Sequence, residues 1–104
     1  MTTSIDKIEF YSPINLEGSW GIRQVAQKAK STMELYFRKD DTGFIEWEVP
    51  HYELYEVIGL TFEFDKDGKR TLIDYDGVFS IPDEALNLLE KHGVNVTEMR
   101  EAMQ

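Results

Sequence analysis

The sequence predicts an α+β fold, an antiparallel meander sheet of four to five strands with helices packed on one face. Three observations lead there. Apolar and polar residues alternate with a period of two through residues 33–49 and 56–76, Gly-containing turns interrupt each run, and a helical pattern follows Pro82. The 104 residues, 41% hydrophobic and 12% aromatic, are of the size expected for one domain and supply a core without any disulfide, since the chain has no Cys.

Each element follows in order. "IDKIEFY", residues 5–11, has β-favouring residues in loose alternation and predicts a first strand. In "WGIRQVAQKAK", residues 20–30, Ile22, Val25, Ala26 and Ala29 have the spacing of one helical face, with Ser19 as N-cap and Lys28 and Lys30 at the negative end of the dipole. Met33, Leu35 and Phe37, then Ile45, Trp47 and Val49, predict two strands. A three-residue loop of Asp41, Thr42 and Gly43, with Gly43 left-handed, would set Phe37 opposite Trp47, Leu35 opposite Val49 and Arg38 opposite Glu46.

Pro50 ends that strand, and "PHYELYE" reads as a connection. Beyond it Ile58, Leu60, Phe62 and Phe64 share one face of a strand. Thr71, Ile73 and Tyr75 share the matching face of its return, which leaves Leu72, Asp74 and Asp76 on the other. A two-residue Asp67-Gly68 loop, or a four-residue loop of Asp65 to Gly68, keeps those faces together and in the first case sets Asp65 against Arg70. A three-residue loop would put Phe64 against Arg70 and Leu60 against Asp74, and the apolar pattern disfavours it. The expected inner layer is Met33, Leu35, Phe37, Ile45, Trp47, Val49, Ile58, Leu60, Phe62, Ile73 and Tyr75. "DEALNLLEKHG" predicts a helix with Gly93 beyond its end and Val94 closing a Schellman motif onto Leu89. The tail predicts a short helix started by Asn95 or Thr97.

Twenty Asp and Glu against eleven Lys and Arg give a net charge of −9. Such a balance repels a phosphate backbone and speaks against direct nucleic-acid binding. A strand followed by two helices is also a DNA-reading layout, but "TLIDYDGVFSI" offers two Asp and no Lys or Arg for base edges. The charge is unevenly placed. Residues 19–39 carry five bases against Glu34, a balance of +4, and residues 40–104 carry sixteen acids against five bases, a balance of −11. The start "MTTSIDKIEFYSP" shows no basic segment leading into an apolar run, and no apolar run is long enough to span a bilayer. A soluble, cytoplasmic protein without membrane contact is expected.

"EFDKDGKRTLID", residues 63–74, places Glu63, Asp65, Asp67 and Asp74 at positions one, three, five and twelve of a calcium-loop pattern, with Gly68 at six. Arg70 falls where that loop wants an apolar residue, Asp74 replaces the bidentate Glu, and strands flank it where helices belong. A hairpin turn accounts for the same residues, and no metal or cofactor is expected. No nucleophile elbow, phosphate loop, dinucleotide fingerprint or metalloprotease pattern occurs either.

Two surfaces remain as candidate sites. The register collects Glu46, Glu48, Glu63, Asp65, Asp74 and Asp76 on the sheet face away from the apolar layer, beside Tyr36, Phe44 and Leu72. Such an acidic, aromatic face suits docking onto a basic protein, for example by an inhibitor that mimics nucleic-acid charge, although it also fits a merely solvated sheet surface. The alternative is a small-molecule or enzyme site near His51 and Tyr52 in the central connection, or near Trp20 at the first helix start. His92 reads as a helix-end residue.

Overall fold

A computed structural model describes residues 3–13, 28–50, 53–77 and 81–103, and shows five strands followed by two helices. The strands are β1 (Thr3–Pro13), β2 (Lys28–Phe37), β3 (Gly43–Val49), β4 (Leu54–Phe64) and β5 (Arg70–Asp76); the helices are α1 (Asp83–Lys91) and α2 (Thr97–Ala102). All neighbouring strands pair antiparallel in the order β1-β2-β3-β4-β5, the meander expected for an α+β chain. Side chains from alternate positions of the central strands meet α1 and α2 on one face. Met33, Leu35, Ile45, Trp47, Val49, Ile58, Leu60, Phe62 and Leu72 form one core with Ala85, Leu86, Leu88, Leu89, Val94, Val96 and Met99. Burying each large aliphatic side chain contributes about 1.5–3 kcal/mol.

The strand content exceeds expectation at β2. Lys28, Ala29 and Lys30, expected in a helix, pair instead with Pro13, Ser12 and Tyr11 of β1; residues 20–27 of that expected helix lie outside the described residues. Ser31 explains the difference. It is fully buried on the core face in line with Met33 and Leu35, so the alternation continues backward through a small polar residue that apolar patterning does not register.

The β2–β3 hairpin has a loop of the predicted length at a different place. Arg38 N–H donates to Thr42 O (2.8 Å) and Asp41 N–H to Arg38 O (3.3 Å), enclosing Lys39, Asp40 and Asp41, and Asp41 is the left-handed residue at φ 68°. Phe37 therefore faces Gly43, Leu35 faces Ile45 and Met33 faces Trp47, which replaces the expected Phe37–Trp47, Leu35–Val49 and Arg38–Glu46 pairs. Because the displacement is even, every side chain keeps its face. Gly43 is needed elsewhere: a Cβ there would lie 2.8 Å from Tyr36 O and 3.0 Å from the Phe62 ring. The turn is held by Asp40, whose Oδ1 accepts from Thr42 N–H (3.2 Å) and Thr42 Oγ1 (2.6 Å).

The β4–β5 hairpin takes the three-residue loop that its apolar pattern disfavours. Asp65 N–H donates to Lys69 O (3.0 Å), Gly68 is left-handed at φ 79°, and Phe64 faces Arg70. Two devices make this register tolerable. Arg70 lays its guanidinium among Phe37, Phe64 and Phe62, and a bulge between Thr61 and Phe62 leaves Ile73 as the extra residue on β5. After the bulge Leu60 faces Tyr75 rather than Asp74. As a result Leu72, expected outside, is fully buried, and Ile73, expected in the core, is 44% exposed.

The C-terminal helices form as expected, except that the N-cap of α2 is Val96 rather than Asn95 or Thr97. Val94 N–H donates to Leu89 O (3.0 Å) and Gly93 N–H to Glu90 O (3.1 Å), with Gly93 at φ 83°, which is the Schellman closure of α1. Asn95 then docks the chain on the sheet: its N–H donates to Arg70 O (2.8 Å), its O accepts from Leu72 N–H (2.9 Å), and its Oδ1 accepts from Thr97 N–H (3.0 Å) at the start of α2. Arg100 ties α2 to α1 through Asp83 and Asn87, each at 2.7 Å. At the other edge a bulge between Ser4 and Asp6 in β1 turns Asp6 toward the helices, where it takes Lys91 Nζ and His92 Nε2 at 2.9 Å each. His92 is thus the C-cap of α1 and an anchor for β1. Among the described residues no helix is long and apolar enough to cross a membrane.

Candidate functional site

The face of the sheet opposite α1 and α2 carries the acidic and aromatic residues, and no described element packs over it. Its composition follows from the period of two: each strand that sends apolar residues to the core presents the intervening ones outward. Tyr36 and Phe44 sit directly opposite on β2 and β3 and stack with centroids 4.5 Å apart and planes 9° from parallel. One step along, Glu34 faces Glu46, and Glu46 in turn faces Val57 of β4; a further step brings Glu48 opposite Tyr55. Across β4 and β5, Glu63 faces Thr71, Thr61 faces Asp74 and Gly59 faces Asp76.

Like charges directly opposite in a sheet are destabilising, so the Glu34–Glu46 pair is a cost that the fold carries. It is eased by phenols and a hydroxyl. Ser4 Oγ donates to Glu34 Oε2 at 2.7 Å, and this bond, followed by one from the Tyr36 hydroxyl, holds the Glu34 carboxyl below its usual range. The same bond to Glu34 leads the causes that push the Tyr36 phenol up to about 12. Tyr55, although more than half exposed, is raised too, first by partial desolvation against the sheet and then by the charge of Glu46, to which it also hydrogen-bonds. Both phenols therefore stay neutral donors. The Glu34–Tyr36 shifts drive acid and phenol apart in pKa, which suits a fixed anionic surface and gives no proton shuttle near neutrality.

Glu46, Glu48, Glu63, Asp74, Asp76, Tyr36 and Phe44 all lie on this face as the sequence predicts. Leu72 does not, for the reason given by the bulge, and Asp65 belongs to the turn: its Oδ1 accepts from Asp67 N–H (2.8 Å) and Lys69 N–H (2.9 Å) rather than pairing with Arg70. The 63–74 segment is accordingly a hairpin whose acids point to different tasks, and the described residues contain no group of three or more His, Asp or Glu placed to hold a metal ion. Arg38, expected opposite Glu46, instead lies with its guanidinium 4.5 Å from the Phe44 centroid. His51, Tyr52 and Trp20, the alternative site, lie outside the described residues.

Sequence reasoning missed Glu34, Tyr55 and Val57 as members of this face. Glu34 was legible from its two-residue spacing to Tyr36, whereas Tyr55 and Val57 were hidden because Pro50 and the polar run after it mask the start of β4 at Leu54. Elsewhere, a shallow cleft of about 270 Å³ between the helices is lined by Asp83, Leu86, Arg100 and Met103. Its cation is already committed to Asp83, Asn87 and Glu90. Comparison of the chain with protein-family models, curated proteins and solved structures finds no match.

Proposed function

We propose that this chain is a small non-catalytic interaction module of the cytoplasm that docks the outer face of its sheet onto a basic protein. The observation that carries the reading is the coincidence on one face of the stacked Tyr36–Phe44 pair with Glu34, Glu46, Glu48, Glu63, Asp74 and Asp76. Complementary charge accelerates encounter and selects the partner, and aromatic side chains anchor what charge brings in. Exposed Tyr55, Val57 and Ile73 add apolar contact area to the same face. An inhibitor that presents nucleic-acid-like charge to a basic groove is one form this takes.

The test compares the wild-type chain with a variant in which Glu46, Glu48, Asp74 and Asp76 are all replaced by Lys. Proteins captured from lysate at low and high salt are identified by mass spectrometry. A basic protein retained by the wild type at low salt, released at high salt and absent from the variant supports the proposal. Identical captures by the two chains would sink it.

A further inference from the structure

Among the described residues, nothing internal to the fold requires the glycine at position 59 on the outer face of β4. Its φ is not positive, unlike that of Gly68 and Gly93, so its backbone does not require glycine. Nor does crowding. Among the described residues, a Cβ built at Gly59 would meet only Asp76 Cβ and Asp76 O, both at an ordinary 3.7 Å. Glycine in a strand interior forfeits stability and often marks a close approach by another group.

The surroundings of the gap have a definite chemistry. Phe44 stands opposite Gly59 on β3, yet its ring stacks on Tyr36 at 4.5 Å instead of closing over the glycine. On the β5 side Gly59 is paired with the exposed Asp76. The diagonal corners belong to Glu46, which faces Val57, and Asp74, which faces Thr61. The result is a gap over the Gly59 backbone, bordered by Asp76 and by Phe44, whose ring already carries the Arg38 guanidinium 4.5 Å from its centroid, with Glu46 and Asp74 at the diagonal positions.

We propose that the notch over Gly59 receives an arginine side chain from the basic partner. This rests on the docking reading above and names the group by which docking is specified. The aliphatic stem crosses the glycine backbone beside Phe44, and the guanidinium meets Asp76, with Glu46 and Asp74 adding field. Arginine fits better than lysine because its planar, weakly hydrated fork both stacks on a ring and binds a carboxylate through two N–H groups. The Phe44 ring already accepts one guanidinium, since Arg38 lies 4.5 Å from its centroid.

The experiment titrates the isotope-labelled full chain with a short peptide alternating arginine and glycine, and follows amide shifts by NMR. Lysine and citrulline versions of the peptide serve as comparisons. Shifts centred on Phe44, Gly59 and Asp76, binding weakened by lysine and abolished by citrulline, are expected. Gly59→Val fills the notch with a strand-favouring residue, and it should weaken the arginine peptide about tenfold or more without lowering Tm. Asp76→Asn, which leaves the notch open, should weaken it as well. If the Lys substitutions at Glu46, Glu48, Asp74 and Asp76 abolish binding while Gly59→Val and Asp76→Asn bind like wild type, the face docks and the notch proposal falls. If the wild type binds the arginine and citrulline peptides alike, both fall.

Discussion

The guanidinium carbon of Arg70 lies 4.0 Å from the centroid of the Phe37 ring, with the Phe64 ring at 5.1 Å. A charge on the helix-side face of a sheet demands an explanation. Among the described residues Arg70 Nε is buried with no hydrogen-bond partner, and the rings of Phe37, Phe62 and Phe64 compensate the inner part of the group. The relationship joins the two hairpins, because Phe37 ends β2 and Arg70 begins β5. It follows directly from the three-residue β4–β5 loop.

Replacing Arg70 with Ala should lower stability by about 1–2 kcal/mol, measured by urea denaturation. In a Phe37→Leu background the same change should cost less, with a coupling of about 0.5–2 kcal/mol. Strict additivity of the two substitutions would remove the cation–π account.

The first hairpin makes a prediction that inverts simple turn reasoning. Gly43→Ala should destabilise by about 1–3 kcal/mol, because the new Cβ meets the fixed Tyr36 carbonyl. Asp41→Gly, at φ 68°, should be neutral or stabilise by up to about 1 kcal/mol. Urea midpoints in the opposite order would place the left-handed residue at 43.

The bulge in β5 separates two adjacent aliphatic residues. Leu72→Ala should cost about 2–4 kcal/mol, since the side chain is fully buried. Ile73→Thr should stay within about 0.5 kcal/mol of wild type, as an exposed strand position allows. The unbulged register of a two-residue Asp67-Gly68 loop predicts the reverse, so thermal unfolding of the two variants decides the register.

Asp6 links stability to acid. Its hydrogen bond to His92, then that to Lys91, lowers its pKa from 3.8 to about 2. A depressed carboxyl stabilises the fold above its unfolded pKa and loses that contribution as pH falls through the folded value. Stability should therefore decline between pH 3.8 and about pH 2, and Asp6→Asn should flatten that part of the profile. An unchanged acid limb in the variant, read by denaturation midpoints across this window, would show that the β1–α1 tether contributes nothing there.

Much of the site could be read from spacing alone. Tyr36, Phe44, Glu46, Glu48 and Glu63 face outward because each alternates with a buried neighbour, and a register displaced by an even number leaves that assignment intact. This is why the β2–β3 pairing differs from expectation while the face does not. Leu72 and Ile73 exchange roles because a single inserted residue reverses the alternation, and nothing local to "TLID" signals where the insertion falls. The balance there is tertiary: Arg70 needs the rings of Phe37 and Phe62, which come from other strands.

By itself the sequence determined the class of the fold, the two hairpins, the Schellman closure of α1 and the acidic character of one sheet face. Those properties depend on periodicity and on residue types within a few positions of one another. Only the tertiary structure decided where each turn sits and what fills the gap at each glycine. The reason is that Gly43 is fixed by a carbonyl and a ring on neighbouring strands, whereas Gly59 is left open by a phenylalanine that stacks away from it. Contacts between segments distant in the chain distinguish the two glycines, and spacing along the chain cannot.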